Sequence, residues 1–209
     1  LKSRDELRQM MLGLGAKDEQ TKSFKQVNFD DYLQAQNHFS FGPAVAVIVA
    51  EGEISEGNAP PGAIGGMSTA NLVRKAREDE QVKAVVVRVD SPGGSAFGSE
   101  LIRQELELTR KAGKPVVISM GNVAASGGYW ISMSSDEVIA DAATITGSIG
   151  VFAIFPTADK VLDKIGVHTA GTTTTWLSDS FNPLRPMNPR FGEVIQLGIN
   201  NIYSEFTTK

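Results

Sequence analysis

Three features of the sequence predict an α/β fold. Short runs that are apolar at almost every residue (Ala44 to Ala50, Val82 to Val89 and Pro115 to Ser119) have the length and β-branched content of buried strands. Between them lie segments whose apolar residues recur at helical spacing. The second and third runs each empty into a glycine-rich turn, at the strand end where α/β sheets hold their ligands. Alternating strands and helices imply right-handed crossovers and a layered sheet with helices on both faces.

Taken in order, Arg4 to Leu12 read as a short helix with Leu7, Met10 and Met11 on one side, stopped near Gly13 and Gly15. A polar stretch follows, then an Asp30-capped segment containing Tyr32 and Leu33. Residues 1–42 thus form a linker or arm that carries no evident chemistry. His38, beside Phe39 and Phe41, reads as an edge histidine, since neither a metal partner nor an acid-plus-serine context accompanies it. The domain proper spans 43–209. Its first strand is Ala44 to Ala50, and Asn58 to Gly66, with Pro60, Pro61 and Gly62, is a surface loop.

Ser68 or Thr69 is placed to cap a helix whose Leu72, Val73 and Ala76 face inward. The strand Val82 to Val89 is apolar past Lys83, as in a sheet covered on both faces. A helix from Phe97 to Lys111 follows, with Phe97, Leu101, Ile102, Leu106 and Leu108 as its core stripe, and Gly113 ends it. After the third strand, Asp136 to Ala140 form a short strand and Ala142 to Gly150 turn tightly. Asp159 to Ile165 form a helix with Val161, Leu162 and Ile165 inward, and Val167-His168-Thr169 begins another strand. The last segment, Arg190 to Phe206, is a helix with Phe191, Val194, Ile195, Ile199, Ile202 and Phe206 on one face.

Candidate chemistry sits in the two turns. Gly121-Asn122-Val123-Ala124-Ala125-Ser126-Gly127-Gly128 puts a serine among small residues between a strand and a helix. There a backbone can turn sharply, a substrate carbonyl can approach, and the Gly127 N–H lies at the positive end of a helix. The plainer reading is a connection with a capping serine. Asp90-Ser91-Pro92-Gly93-Gly94-Ser95 is a second turn whose glycines leave backbone N–H groups unobstructed. Each turn alone is weak. Together they could supply the two halves of one oxyanion site, the plainer alternative being a helix N-terminus with Pro and Gly as ordinary punctuation.

These two turns, with Thr146-Gly147-Ser148-Ile149-Gly150-Val151 after them, resemble the signal peptide peptidase A family of membrane-anchored bacterial serine proteases, from about Ala44 to Gly171. The resemblance is greatest to the C-terminal half of the long, two-repeat form. It implies a fold related to the Clp proteolytic subunit and the crotonases, and a Ser–Lys dyad with Ser126 as nucleophile. Gly127 with Gly93 or Gly94 would form the oxyanion hole. It also implies cleaved signal peptides as substrates, an oligomer such as a tetramer with other repeats, and a site at the periplasmic face of the inner membrane. Anchoring would then come from parts outside this chain.

One departure stands out. Where short family members carry their lysine, this chain reads Gly171-Thr172-Thr173-Thr174-Thr175, with Thr174 at the lysine position and no lysine from Ile165 to Thr208. A threonine cannot act as base near neutrality, whereas a lysine can once burial lowers its pKa. In the two-repeat form the lysine comes from the other repeat, so the isolated chain is expected to be nearly inactive. The alternative for this stretch, with Pro183, Pro186 and Pro189 in it, is a disordered loop. Phe152, Ile154 and Phe155 either line a groove for an apolar peptide or pack in the core.

Composition bounds the remaining possibilities. At 209 residues the chain suits one domain plus an appendage, and roughly 70% of the unfolded surface is buried in chains of this size. The net charge of −4, without a basic stripe, argues against a nucleic-acid partner. With no Cys there are no disulfides or thiolate metal sites, and neither a zinc His-Glu-x-x-His nor a phosphate-binding Gly-x-x-x-x-Gly-Lys occurs, so no cofactor is expected. The longest apolar run is far short of the ~20 residues that span a bilayer. A start at Leu1 suggests a piece of something longer. A triad serine motif is broken by Ala124, and His168 as base stays a minor alternative with no positive signal in the sequence. Two other classes remain open: a crotonase-like enzyme binding an acyl-CoA, and a non-catalytic half that only assembles or presents substrate.

Overall fold

The structure, a computed structural model, describes residues 3–20, 22–36 and 42–208, and the chain divides into the units Leu1–Gly42 and Pro43–Lys209. In the first unit, helix α1 (Arg4–Leu14) opens on a capping box. Ser3 Oγ accepts from the Glu6 N–H at 3.3 Å, and the Glu6 carboxylate accepts from the Ser3 N–H at 2.6 Å. The helix runs on through Gly13. A hairpin of β1 (Lys17–Asp18) and β2 (Ser23–Phe24) follows, tied to α1 by Arg8, which donates to the Lys22 carbonyl at 2.8 Å. Helix α2 (Phe29–Gln36) starts ahead of Asp30, because the Tyr32 N–H bonds to the Asn28 carbonyl. Asp30 therefore lies within the helix and is not its cap. His38 lies outside the described residues.

The second unit begins with β3 (Ala44–Glu51). A two-stranded parallel pair, β4 (Ile54–Ser55) with β5 (Ile64–Gly65), leads into α3 (Gly66–Glu78), β6 (Val82–Ser91), α4 (Ala96–Lys111) and β7 (Val116–Ala125). Strands β3, β6 and β7 are parallel neighbours, with Ile48 beside Val87 and Val87 beside Ile118. Helix α5 (Gly127–Ser132) follows at once. Then β8 (Glu137–Ile139) pairs with the first half of β7 and β9 (Ile145–Gly147) with its second half.

The core is one-sided. Val85, Val87, Val89, Val116 and Ile118 are fully buried and cluster with Val73 of α3 and with Ile102 and Leu106 of α4. Each such side chain contributes about 1.5–3 kcal/mol by leaving water. On the other face Val45, Val47 and Val49 are more than half exposed, so the sheet is not covered on both faces as expected. Both crossover helices lie on the same side, crossing closely where a Cβ on Gly66 would come 2.5 Å from the Gly98 Cα.

Helix phase accounts for several further differences. In α3 the buried stripe is Thr69, Ala70, Val73 and Ala76, which leaves Leu72 exposed. Neither Ser68 nor Thr69 caps the helix. Gly65 is the first flanking residue, and Ser68 Oγ instead accepts from the Ala59 N–H, drawing in a loop whose Ile64 is buried. Ser95 caps α4 by accepting from the Gly98 N–H at 3.0 Å. Phe97 and Leu108 fall off the α4 stripe and are exposed.

The last two helices are α6 (Asp159–Lys164) and α7 (Pro189–Thr208). Val161 and Ile165 are exposed, not inward, and no strand forms at Val167-His168-Thr169. Phe191 and Phe206 are the buried anchors of α7, with Phe191 packed edge-on against Phe155 and Phe181 at 5.7 and 4.6 Å. The preceding loop is held by the pairing of Asp179 with Arg185 and by Arg190 of α7, which sits 4.8 Å from the Trp176 ring. Among the described residues no helix is long and apolar enough to cross a membrane.

Glu105 joins α4 to α3 by accepting from Arg74 and, at 3.0 Å, from Arg77. Burial pushes its carboxyl up, but the hydrogen bonds from the two arginines outweigh this and hold it below the ordinary carboxylate value. A carboxyl lowered on folding stabilises above its unfolded pKa and loses that contribution as pH falls through its folded one. In urea unfolding from pH 7 down to acid, Glu105→Gln is expected to reduce stability at pH 7 and to flatten the acid slope; an unchanged slope would contradict this.

Candidate active site

Ser126 follows β7 directly and precedes the first turn of α5, with φ 50° and ψ −117°. A non-glycine residue here is strained by about 1–3 kcal/mol, a cost that surrounding structure must offset. Two hydrogen bonds do so. The Ser126 N–H donates to the Gly147 carbonyl at 2.8 Å, and the Ser126 carbonyl accepts from the Trp130 N–H at 2.9 Å. The first tethers the serine to β9, the second to α5.

The turn after β6 presses against this serine. A Cβ on Gly93 would lie 2.6 Å from Gly127 N and 2.7 Å from Ser126 Cβ, and Gly93 has φ 105°. Gly94 has φ 141°, and a Cβ there would strike the Ile54 carbonyl. Ile54 itself brackets the turn, donating to the Gly93 carbonyl and accepting from the Ser95 N–H, both at 2.8 Å. The two glycine turns singled out in the sequence thus meet at Ser126. Their amides differ: the Gly93 N–H donates to Ser91 Oγ at 3.2 Å, whereas among the described residues neither Gly94 N nor Gly127 N finds an acceptor.

A bulge in β7 brings the turns together. Val89 pairs with Met120 but Ser91 with Ala124, so β7 holds extra residues at Gly121 to Val123. The Asp90 carboxylate fills the kink, accepting from the Asn122 and Val123 N–H groups at 3.3 and 3.1 Å. Gly121 faces it so closely that a Cβ would come within 2.6 Å of the carboxylate. The sequence reading missed Asp90; its place just before the glycine turn was the available signal. Ser148 was also missed as an individual residue. It has φ 50° and faces the same cleft as Ser126.

That cleft has a volume of about 770 Å³, and Gly93, Gly94, Ser126 and Gly127 lie along it. Its walls are mostly apolar, with Trp130, Ile149, Val151, Phe152, Ile202 and Phe206, so Phe152 belongs to the groove and Phe155 to the aromatic cluster around Phe191. Glu53 is the charged residue among those lining it, and no lysine, arginine or histidine is among them. Thr174 is exposed and not part of the cleft, and His168 lies in a different depression, 3.3 Å from Asp163. Among the described residues no cluster of His, Cys, Asp or Glu has the makings of a metal site. The arrangement offers a strained hydroxyl-bearing residue with the unengaged Gly127 amide next to it, and an apolar trough that Gly94 also lines.

Residues 108–209 match Peptidase family S49. Over 187 residues the chain is 47% identical to Protease 4 of Haemophilus influenzae, covering 86% of this chain and 30% of that protein. It is 44% identical over 186 residues to Protease 4 of Salmonella typhi, covering 89% of this chain and 30% of that protein. To "Serine protease SPPA, chloroplastic" of Arabidopsis thaliana it is 35% identical over 170 residues, covering 79% of this chain and 25% of that protein. The chain thus spans about 30% of the length of the Protease 4 relatives. With the match and these relatives in hand, residues 108–209 of the chain belong to Peptidase family S49.

Proposed function

We propose that this chain is the nucleophile-bearing part of a serine peptidase that cleaves apolar peptides, remnant signal peptides among them. The observation that carries the reading is the contact of Gly93 with Ser126 and Gly127, next to an unengaged Gly127 amide and in an apolar cleft that Gly94 also lines. Ser126 Oγ would attack the scissile carbonyl carbon while its proton passes to a base. The carbonyl oxygen would gather negative charge before the Gly127 and Gly94 N–H groups, with Gly93 giving the close approach. Collapse would expel the amine, taking that proton, and leave an acyl-serine that water then hydrolyses.

The base in this proposal is a lysine amine lent by another repeat or subunit, because the cleft holds no cation and Thr174 stands at the family's lysine position. The names of the Protease 4 relatives and of the chloroplastic serine protease support the peptidase class. Oligomeric assembly and a membrane-side location are part of the same proposal.

In the full-length protein a fluorophosphonate probe is expected to label Ser126, and Ser126→Ala is expected to abolish both labelling and peptide cleavage. Labelling elsewhere, or cleavage that survives the substitution, would overturn the assignment. The isolated 209-residue chain should cleave peptides barely or not at all; robust hydrolysis by it would show that no base is borrowed. Gly93→Ala should reduce cleavage by about 10²–10³, the cost of losing one oxyanion donor, because its methyl group displaces the turn from Ser126. Activity near wild type would show that the two turns need not touch.

A further inference from the structure

Trp130 is 4% exposed and forms part of the cleft wall, with its ring 4.4 Å from that of Phe206 and tilted 35° to it. A buried indole N–H needs an acceptor. It finds one in Glu100, whose Oε2 accepts it at 2.9 Å. That carboxylate is not free to turn. Arg103 grips both of its oxygens, Nε on Oε2 at 2.8 Å and Nη2 on Oε1 at 3.0 Å, and Gln104 adds a bond at 2.9 Å. A planar fork on a planar carboxylate fixes orientation as well as distance.

Arg103 is in turn held from behind. Its Nη1 donates to Glu107 at 2.8 Å and to Ser134 Oγ at 2.6 Å, and hydrogen bonding to Glu100 and Glu107 raises its pKa against the opposing effect of burial. The chain of contacts runs from a buried arginine through a carboxylate to an indole in the cleft wall. The backbone of Trp130 is fixed separately, by the bond from its N–H to the Ser126 carbonyl. Ring and backbone are thus both tied down beside the serine.

We propose that Glu100, clamped by Arg103, positions the Trp130 indole, and that the indole sets how large an apolar side chain the cleft takes next to the attacked carbonyl. This rests on the peptidase reading above. Glu100 and Arg103 are positioning residues, acting through Trp130 without reaching the substrate. A purely structural role would lower activity on all substrates alike; a positioning role changes their order.

The test uses the full-length protein and peptides that differ only in the side chain before the scissile bond, alanine, leucine or phenylalanine. Trp130→Phe and Glu100→Ala are each expected to shift kcat/KM from small toward large side chains by roughly tenfold, the scale on which apolar pockets discriminate. Glu100→Gln, whose amide oxygen still accepts the indole N–H, should restore most of the wild-type order. Arg103→Lys keeps the charge but loses the fork and should shift the order less, so the claim stays testable if Glu100→Ala does not fold. An order unchanged in Trp130→Phe and Arg103→Lys, or a Gln variant identical to the Ala variant, overturns the proposal while leaving the peptidase reading intact. Failure of a fluorophosphonate to label Ser126 in the unaltered protein would overturn both.

Discussion

Much of this domain depends on one close approach, that of the backbone at Gly93 to the backbone at Ser126 and Gly127. A methyl group on Gly93 would fall 2.6 Å from an amide nitrogen, so the contact tolerates no side chain. Two parallel strands side by side would not produce it unaided. β7 must carry a bulge relative to β6, and the Asp90 carboxylate holds that bulge open by occupying its N–H groups. The turn after one strand is then brought level with the serine after the next.

The contact has an energetic side. Ser126 is held in a conformation that L-residues avoid, and its backbone bonds to Gly147 and Trp130 keep it there. Strain at a site surrounded by compensating bonds is a form of preorganisation, since little remains to be reordered when charge develops nearby. The same economy extends to the cleft wall, where Trp130 is fixed at both its backbone and its ring. Further from the site the sheet is less finished, with one face packed by α3 and α4 and the other exposing Val45, Val47 and Val49.

The strands and the two turns were legible because their signals are local. β-branched runs mark buried strands, and paired glycines after them mark backbone exposed for contact. Ser126, Gly93, Gly94 and Gly127 all emerged that way, and the structure gathers them along one cleft. What escaped depends on register or phase. Asp90 gains its role only once the bulge in β7 is known, and Glu100 only once Trp130 is seen to turn toward α4. Leu72, Phe97 and Val161 were placed inward because helical spacing identifies a stripe but not which neighbouring residue borders it. The double covering expected of the sheet failed for a related reason: apolar strands look alike whether the second face meets a helix or solvent.

The most direct measurement is a crystal structure of the full-length protein carrying a boronate or phosphonate adduct on Ser126. The account predicts that the adduct oxygen standing for the oxyanion lies about 2.7–3.1 Å from the Gly127 and Gly94 nitrogens, with a lysine amine from elsewhere in the assembly next to Oγ. An oxygen turned away from these amides, or an adduct formed at another residue, would contradict it.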